Sequence, residues 1–164
     1  MANDFYSLAS DMIDELVEVV PVAATYFGVA GHDHRWNDFS TAGSERERRM
    51  QEDHLQRIRR LPPSDDRREL LARRVIEASI EDDLMLFETN EHLRDLNSMA
   101  SAFQDLREVF DQMGRVTRAD WRNVADRMQG LPLALHAYGS RLEDGRREGL
   151  LAAQRQVHEV ARQA

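Results

Sequence analysis

Near the start of the chain, apolar residues recur at steps of three and four: Phe5, Leu8, Met12, Leu16, Val19, Ala23 and Phe27. That spacing lays one apolar stripe along a helix. Pro21 interrupts it, because its ring clashes with the carbonyl four residues back. A kink is expected there, or a fresh start with Pro21 as the first helical residue and Gly28 as the stop. Residues 28–43 read as loop. Ser44 with Glu47 has the spacing of a capping box and opens a segment bearing Met50, Leu55, Ile58 and Leu61, ended by Pro62 and Pro63. Asp66 with Glu69 repeats the spacing ahead of Ile76, Ile80, Leu84 and Phe87, which predicts the longest helix of the chain, reaching about His92.

Residues 93–100 lose the pattern. Ser101 with Gln104 then caps a segment carrying Phe103, Leu106, Phe110 and Met113, stopped by Gly114. Thr117 with Asp120 opens another, with Trp121, Val124, Ala125 and Met128 before Gly130. Pro132 suits the first turn of a further helix presenting Leu131, Leu135, Tyr138 and Leu142 on one face. Gly145 and Gly149 weaken that helix, so a break is expected near Gly149, followed by a last helix with Leu150, Val157 and Val160. Nothing alternates with period two, and no hairpin dipeptide joins β-branched runs. The expected fold is all-α: a multi-helix bundle of mostly antiparallel sequential helices without a sheet, with residues 1–164 as a single helical domain.

A chain of 164 residues is long enough to bury its own core. Cys is absent, and all 22 basic residues are Arg, so Lys is absent too. Disulfides, thiolate zinc sites, Cys nucleophiles, Walker phosphate loops and Schiff-base chemistry are thereby excluded. The formal charge is −8, yet residues 44–74 carry ten Arg against seven carboxylates. Within that stretch Glu45 and Arg49, Asp53 and Arg57, and Glu69 and Arg73 stand four apart with the acid first, the favoured order for helical ion pairs. The stretch has no aromatic residue for bases to stack on, so it reads as an ion-paired surface and not a nucleic-acid interface. The amino terminus lacks the basic region of a signal peptide, and no apolar run approaches the roughly 18 residues of a membrane span. A cytoplasmic location is the expectation, with no membrane partner.

Polar function is densest in Gly31-His32-Asp33-His34-Arg35-Trp36-Asn37-Asp38. Two imidazoles flanking a carboxylate are ligand types for zinc, nickel or copper, and His92 is a candidate further ligand. The bland reading is a loop in which Asp33 or Asp38 caps backbone amides while Trp36 plugs the core. Glu77, Glu81, Glu88 and His92 fall near one helical line, but no Glu precedes a His by three, as a carboxylate-bridged dimetal bundle requires, so ion pairing with Arg73, Arg74 and Arg94 is expected. His158-Glu159-Val160-Ala161-Arg162 misses the zinc-protease helix because Arg stands where the second His must be. His54 and His136 read as surface or satisfied core residues, and no Gly-x-Ser-x-Gly elbow marks a hydrolase nucleophile.

In their order and spacing, Pro21-x-x-Ala24-Thr25-x-x-Gly28, Gly31-His32-Asp33, Asp38-Phe39-Ser40, and His92-Leu93-Arg94-Asp95-Leu96-Asn97 followed by Gln104, Arg107 and Phe110 are distinctive. With the closing Gly149-Leu-Leu-Ala-Ala-Gln-Arg-Gln-Val157, the chain resembles the amino-terminal region of the bacterial domain of unknown function 885 family over nearly its whole length. The resemblance implies an all-helical, zinc-peptidase-like protein whose first helices form scaffold and part of the wall or lid over a substrate cleft, with His32 and Asp33 at its border. It implies zinc only for the full-length family, through a His-Glu-x-x-Pro-Gly-His-His centre, and no such stretch occurs in these residues. The expectation is a non-catalytic scaffold or lid domain, truncated or separately encoded, with no cofactor of its own. Its partner would be a catalytic portion supplied elsewhere, or a second copy through an apolar face. The alternative is a small metal-binding or hydrolytic domain using His32, Asp33 and His34.

Overall fold

The structure, a computed structural model, describes residues 4–163. Seven α-helices and one 3-10 turn, with no strand, make up the regular structure among them. The first stripe divides as its proline requires: α1 is Asp4–Val19 and α2 is Pro21–Phe27, with Pro21 at the first turn and Gly28 stopping α2 in the left-handed region at φ 72°. The break also changes the helical phase. Phe5 and Met12 are buried as expected, but Phe27, at the far end of the same stripe, is 60% exposed, and Val22 and Ala24 are buried in its place.

Helix α3, Thr41–Arg59, starts four residues before the expected position. Ser40, not Ser44, is the cap: its Oγ accepts from the Gly43 N–H at 3.2 Å. Gly43 permits this because a Cβ there would sit 1.8 Å from the Asp38 carbonyl oxygen, so only Gly lets the first turn press onto the preceding loop. Helix α4, Arg67–Glu88, is capped by Asp66 as expected but stops short of His92. The Thr89 hydroxyl donates back to the Met85 carbonyl at 2.9 Å and Asn90 turns left-handed at φ 57°, so His92 falls in the 3-10 turn Glu91–Leu93, off the line of Glu77, Glu81 and Glu88. Helix α5, Ala102–Gln112, opens with its Ser101–Gln104 capping box.

The longest helix is α6, Arg118–Arg147, which begins at the Thr117–Asp120 capping box and runs through Gly130 and Pro132 without the expected break. Trp36 explains the continuity. Its ring lies where a Cβ on residue 130 would be 2.9 Å away, and its indole N–H donates to the Arg127 carbonyl at 2.7 Å, so the loop supplies packing and a hydrogen bond beside the proline. Gly149, at φ 80°, ends the segment; α7 is Gln154–Gln163 and excludes Leu150.

The helices form two groups. In one, α1, α3 and α4 pack around Met12, Leu55, Ile58 and Ile80. In the other, α2, α5 and α6 pack around Phe39, Ala102, Leu106, Ala134 and Tyr138. The α1–α2 contact, the 3-10 turn and the α3–α6 contact join them. All three anticipated i,i+4 ion pairs form, Glu45–Arg49, Asp53–Arg57 and Glu69–Arg73. Glu15 reaches from α1 to both His54 (2.8 Å) and Arg57 (2.7 Å) on α3. Among the described residues no helix is long and apolar enough to cross a membrane.

Two glycines of α6 test this packing. A Cβ on Gly145 would stand 2.2 Å from the Leu93 carbonyl oxygen, whereas one on Gly139 meets nothing within 4 Å. Gly145→Ala should lower unfolding stability by about 2–3 kcal/mol by forcing the 3-10 turn away, and Gly139→Ala should raise it by about 0.5–1 kcal/mol through helix propensity, both read from urea titration.

Candidate functional site

The loop after α2 is organised around one buried cation. Arg127 on α6 has 0% of its surface exposed. Its guanidinium donates to the Thr25 hydroxyl (2.9 Å), twice to the Arg35 carbonyl (3.1 and 2.9 Å) and to the His32 carbonyl (3.3 Å), and it lies 5.4 Å from the centre of the Trp36 ring. Thr25 in turn donates to Asp33 at 2.7 Å. Burial lowers the pKa of Arg127 and the nearby Asp33 carboxylate opposes that shift. His32 Nδ1 faces the Arg35 guanidinium at 3.2 Å and its Nε2 is 3.9 Å from Glu18, while His34 is exposed. The His32 and Arg35 carbonyls are thus directed at Arg127, and Asp33 reaches it through Thr25. His92 lines a different cleft with none of these residues, and among the described residues no three His, Asp or Glu side chains are grouped closely enough to hold a metal ion.

That other cleft encloses about 490 Å³ where the two helical groups meet. Glu47 and Gln51, one turn apart on α3, form one wall; Asp83, Leu86 and Phe87 of α4 form the second; His92 and the segment Asp95–Asn97 close the end. The Gln51 amide donates to Asp83 at 3.2 Å. His92 stacks at a tilt on Phe87, ring centres 5.0 Å apart. Behind this wall Arg141 of α6 donates to Ser44 at 3.0 Å, lies 4.0 Å from Asp95 and covers the Tyr138 ring. Glu47, Asp95 and Arg141 also line an adjoining depression with Asn37 and Asp38.

Desolvation dominates the electrostatics here. Burial pushes the Glu47 carboxyl above its ordinary value, with Arg141 opposing and Asp83 adding. Asp83 is raised by burial and by Asp82 against its bond from Gln51, and Asp95 by burial against Arg141 and the Ala102 amide. Burial and Arg141 lower His92, which favours the neutral imidazole. Three of the four buried side-chain atoms that lack a hydrogen-bond partner among the described residues belong to this junction: Gln51 Oε1, His92 Nδ1 and Arg141 Nε. Perturbed carboxylates and unsatisfied polar atoms around a concave space are the physical marks of a binding site.

The residues singled out in the sequence divide between the two places. Thr25, His32 and Asp33 belong to the Arg127 network, while Pro21 opens α2 and Gly28 ends it. Asp38 and Asp95 face the depression beside Arg141, and Asn97 lines the larger cleft. Ser40 and Gln104 are caps; Gln104 Oε1 accepts from the Ser101 N–H at 3.0 Å and its amide donates to Gln163 at 2.9 Å. Arg107 is exposed on α5. Glu47, Gln51, Asp83 and Arg141 were not anticipated. Glu47 read as the third residue of a capping box, and the true start at Thr41 frees its side chain for the cleft. The one available signal was the i,i+4 spacing of Glu47 and Gln51. The His158–Arg162 segment is part of α7, with Val160 buried and Arg162 paired with Glu159 at 3.0 Å.

An all-α protein with a charged cleft at the seam of two helical groups is the class that fold and site define. The family model for the bacterial protein of unknown function DUF885 matches residues 21–164, and the chain belongs to that family. No curated protein matches it.

Arg127→Ala should cost about 3 kcal/mol of unfolding stability, since several loop acceptors lose their donor. Arg127→Lys should recover little of it, because one ammonium cannot span the same oxygens. Glu47 has the opposite sign. A carboxyl raised above its ordinary 4.5 gives stability that is complete below that pH and is lost as the pH rises through the folded value. Glu47→Gln should therefore unfold at higher urea than wild type near neutrality, and the advantage should vanish below pH 4.5.

Proposed function

We propose that this chain is a non-catalytic helical scaffold of a zinc-peptidase-like protein, in which α3, α4 and the 3-10 turn form a wall of a substrate cleft and α4 seats the portion that carries out catalysis. One observation carries the reading: α4 is apolar on both sides. Its inner side supplies Ile76, Ile80 and Leu84 to the core, while Leu71 (63% exposed), Val75 (60%), Met85 (55%) and Leu86 (50%) form a stripe on the outer side. An exposed apolar stripe on the side of a helix opposite its buried one is the mark of a contact surface. The stripe ends at Leu86, which is also a cleft residue, so whatever covers α4 reaches the cleft's rim. Packing of a separately supplied catalytic portion, or of a second copy, on this stripe would remove the exposed area from water.

The purified chain should bind an apolar dye and self-associate in light scattering. Both should fall sharply in the double variant Leu71→Glu, Val75→Glu, with helicity by circular dichroism unchanged. A strictly monomeric wild type that binds no dye would refute the scaffold reading.

A further inference from the structure

We propose that the cleft between α3, α4 and the 3-10 turn binds a small organic cation, an alkylammonium or guanidinium head on an apolar stem, with Glu47, Asp83 and Gln51 as its acceptors. The proposal draws its biological role from the substrate-wall reading, but the binding itself needs only this chain's side chains.

Gln51 supplies the geometric reason. The residue is 9% exposed, and its amide is oriented by donation to the Asp83 carboxylate at 3.2 Å, which turns Oε1 away from that bond. That oxygen has no partner. A buried carbonyl without a donor is costly, so a fitting ligand must bring N–H groups. Glu47 lies one turn away on the same face of α3, and Asp83 faces it from α4.

Charge points the same way. Glu47, Asp83 and Asp95 face the junction against the single guanidinium of Arg141, while Glu91 and Arg94 neutralise each other in an ion pair. Of the arginines near the cleft, Arg94 is paired with Glu91, and Arg141 lies behind the wall, bonded to Ser44 and 4.0 Å from Asp95. A metal ion needs several ligand atoms within about 2–2.6 Å of one point, and no three His, Asp or Glu side chains among the described residues are grouped for that. Acceptors spread around a space of about 490 Å³ suit a head with several diverging N–H donors. Leu86, Phe87 and Leu96 give the apolar side along which a stem can lie.

The test is calorimetric titration of the intact chain with two probes, cadaverine as a free amine and the tripeptide Gly-Lys-Gly as a peptide side chain, with 1-pentanol as the neutral control. Saturable binding of at least one amine is expected, weakening with salt and falling about tenfold in Glu47→Gln, since one charge-assisted hydrogen bond is lost. Glu159→Gln, on the outer face of α7, should bind as wild type does. Preference between the two amines identifies the source of the cation. The proposal is overturned if neither amine binds, if 1-pentanol binds equally well, if Glu47→Gln is without effect, or if zinc or calcium alone occupies the cleft in a Glu47-dependent way. Because Glu47→Gln is expected to be the more stable protein near neutrality, loss of binding cannot be put down to unfolding. Absence of amine binding leaves the α4 dye and scattering result standing, so the two readings fail separately.

Discussion

A guanidinium without water must be given oxygen acceptors, and the architecture of this chain follows from that demand at Arg127. Taking a cation from water into a protein costs several kcal/mol even after relaxation, and Arg does not escape by losing its proton. Three acceptor residues reach it, Thr25 from α2 and His32 and Arg35 from the loop. For those carbonyls to converge, the chain must turn sharply after α2, and it does so through left-handed Gly28 and Gly31. The same loop then lays Trp36 across Gly130, so the electrostatic clamp and the continuity of α6 are one device.

Arg141 repeats the arrangement two heptads further along α6. Val124, Arg127, Leu131, Ala134, Tyr138, Arg141 and Gly145 alternate steps of three and four along the inward face. The seam is therefore a helical core stripe with two arginines in it. Arg127 is well supplied with partners; Arg141 has one hydrogen bond, a distant carboxylate and an unpaired Nε. This contrast separates a structural cation from one set at a site, where polar groups are left short of partners and the surrounding packing holds them in place. Two apolar clusters flank the junction and keep it from collapsing.

The outward faces belong to the same picture. On α6, Trp121, Met128 and Leu135 are 55%, 59% and 40% exposed at a spacing of seven, so this helix too has an exposed apolar stripe, about a quarter turn round from its buried one. The exposed apolar stripes of α4 and α6 are the surface that the proposed packing of a partner would cover.

By itself the sequence determined what is local: the all-α class, the interruption at Pro21, the stop at Gly28, the caps at Asp66, Ser101 and Thr117, and the break at Gly149. Each depends on a side chain satisfying backbone groups within a few residues, or on the dihedral angles one residue can adopt. The tertiary structure decided where α3 begins, because Gly43 had to meet the Asp38 carbonyl, and it decided that α6 crosses Gly130 and Pro132, because Trp36 comes from ninety-one residues away to bond Arg127. It also placed His92 beside Glu47, Gln51 and Asp83 and apart from His32 and His34. Apolar periodicity treats every Arg and Glu as surface, so a stripe that buries Arg127 and Arg141, and a cleft that half-buries Glu47, emerge only when distant segments supply their partners.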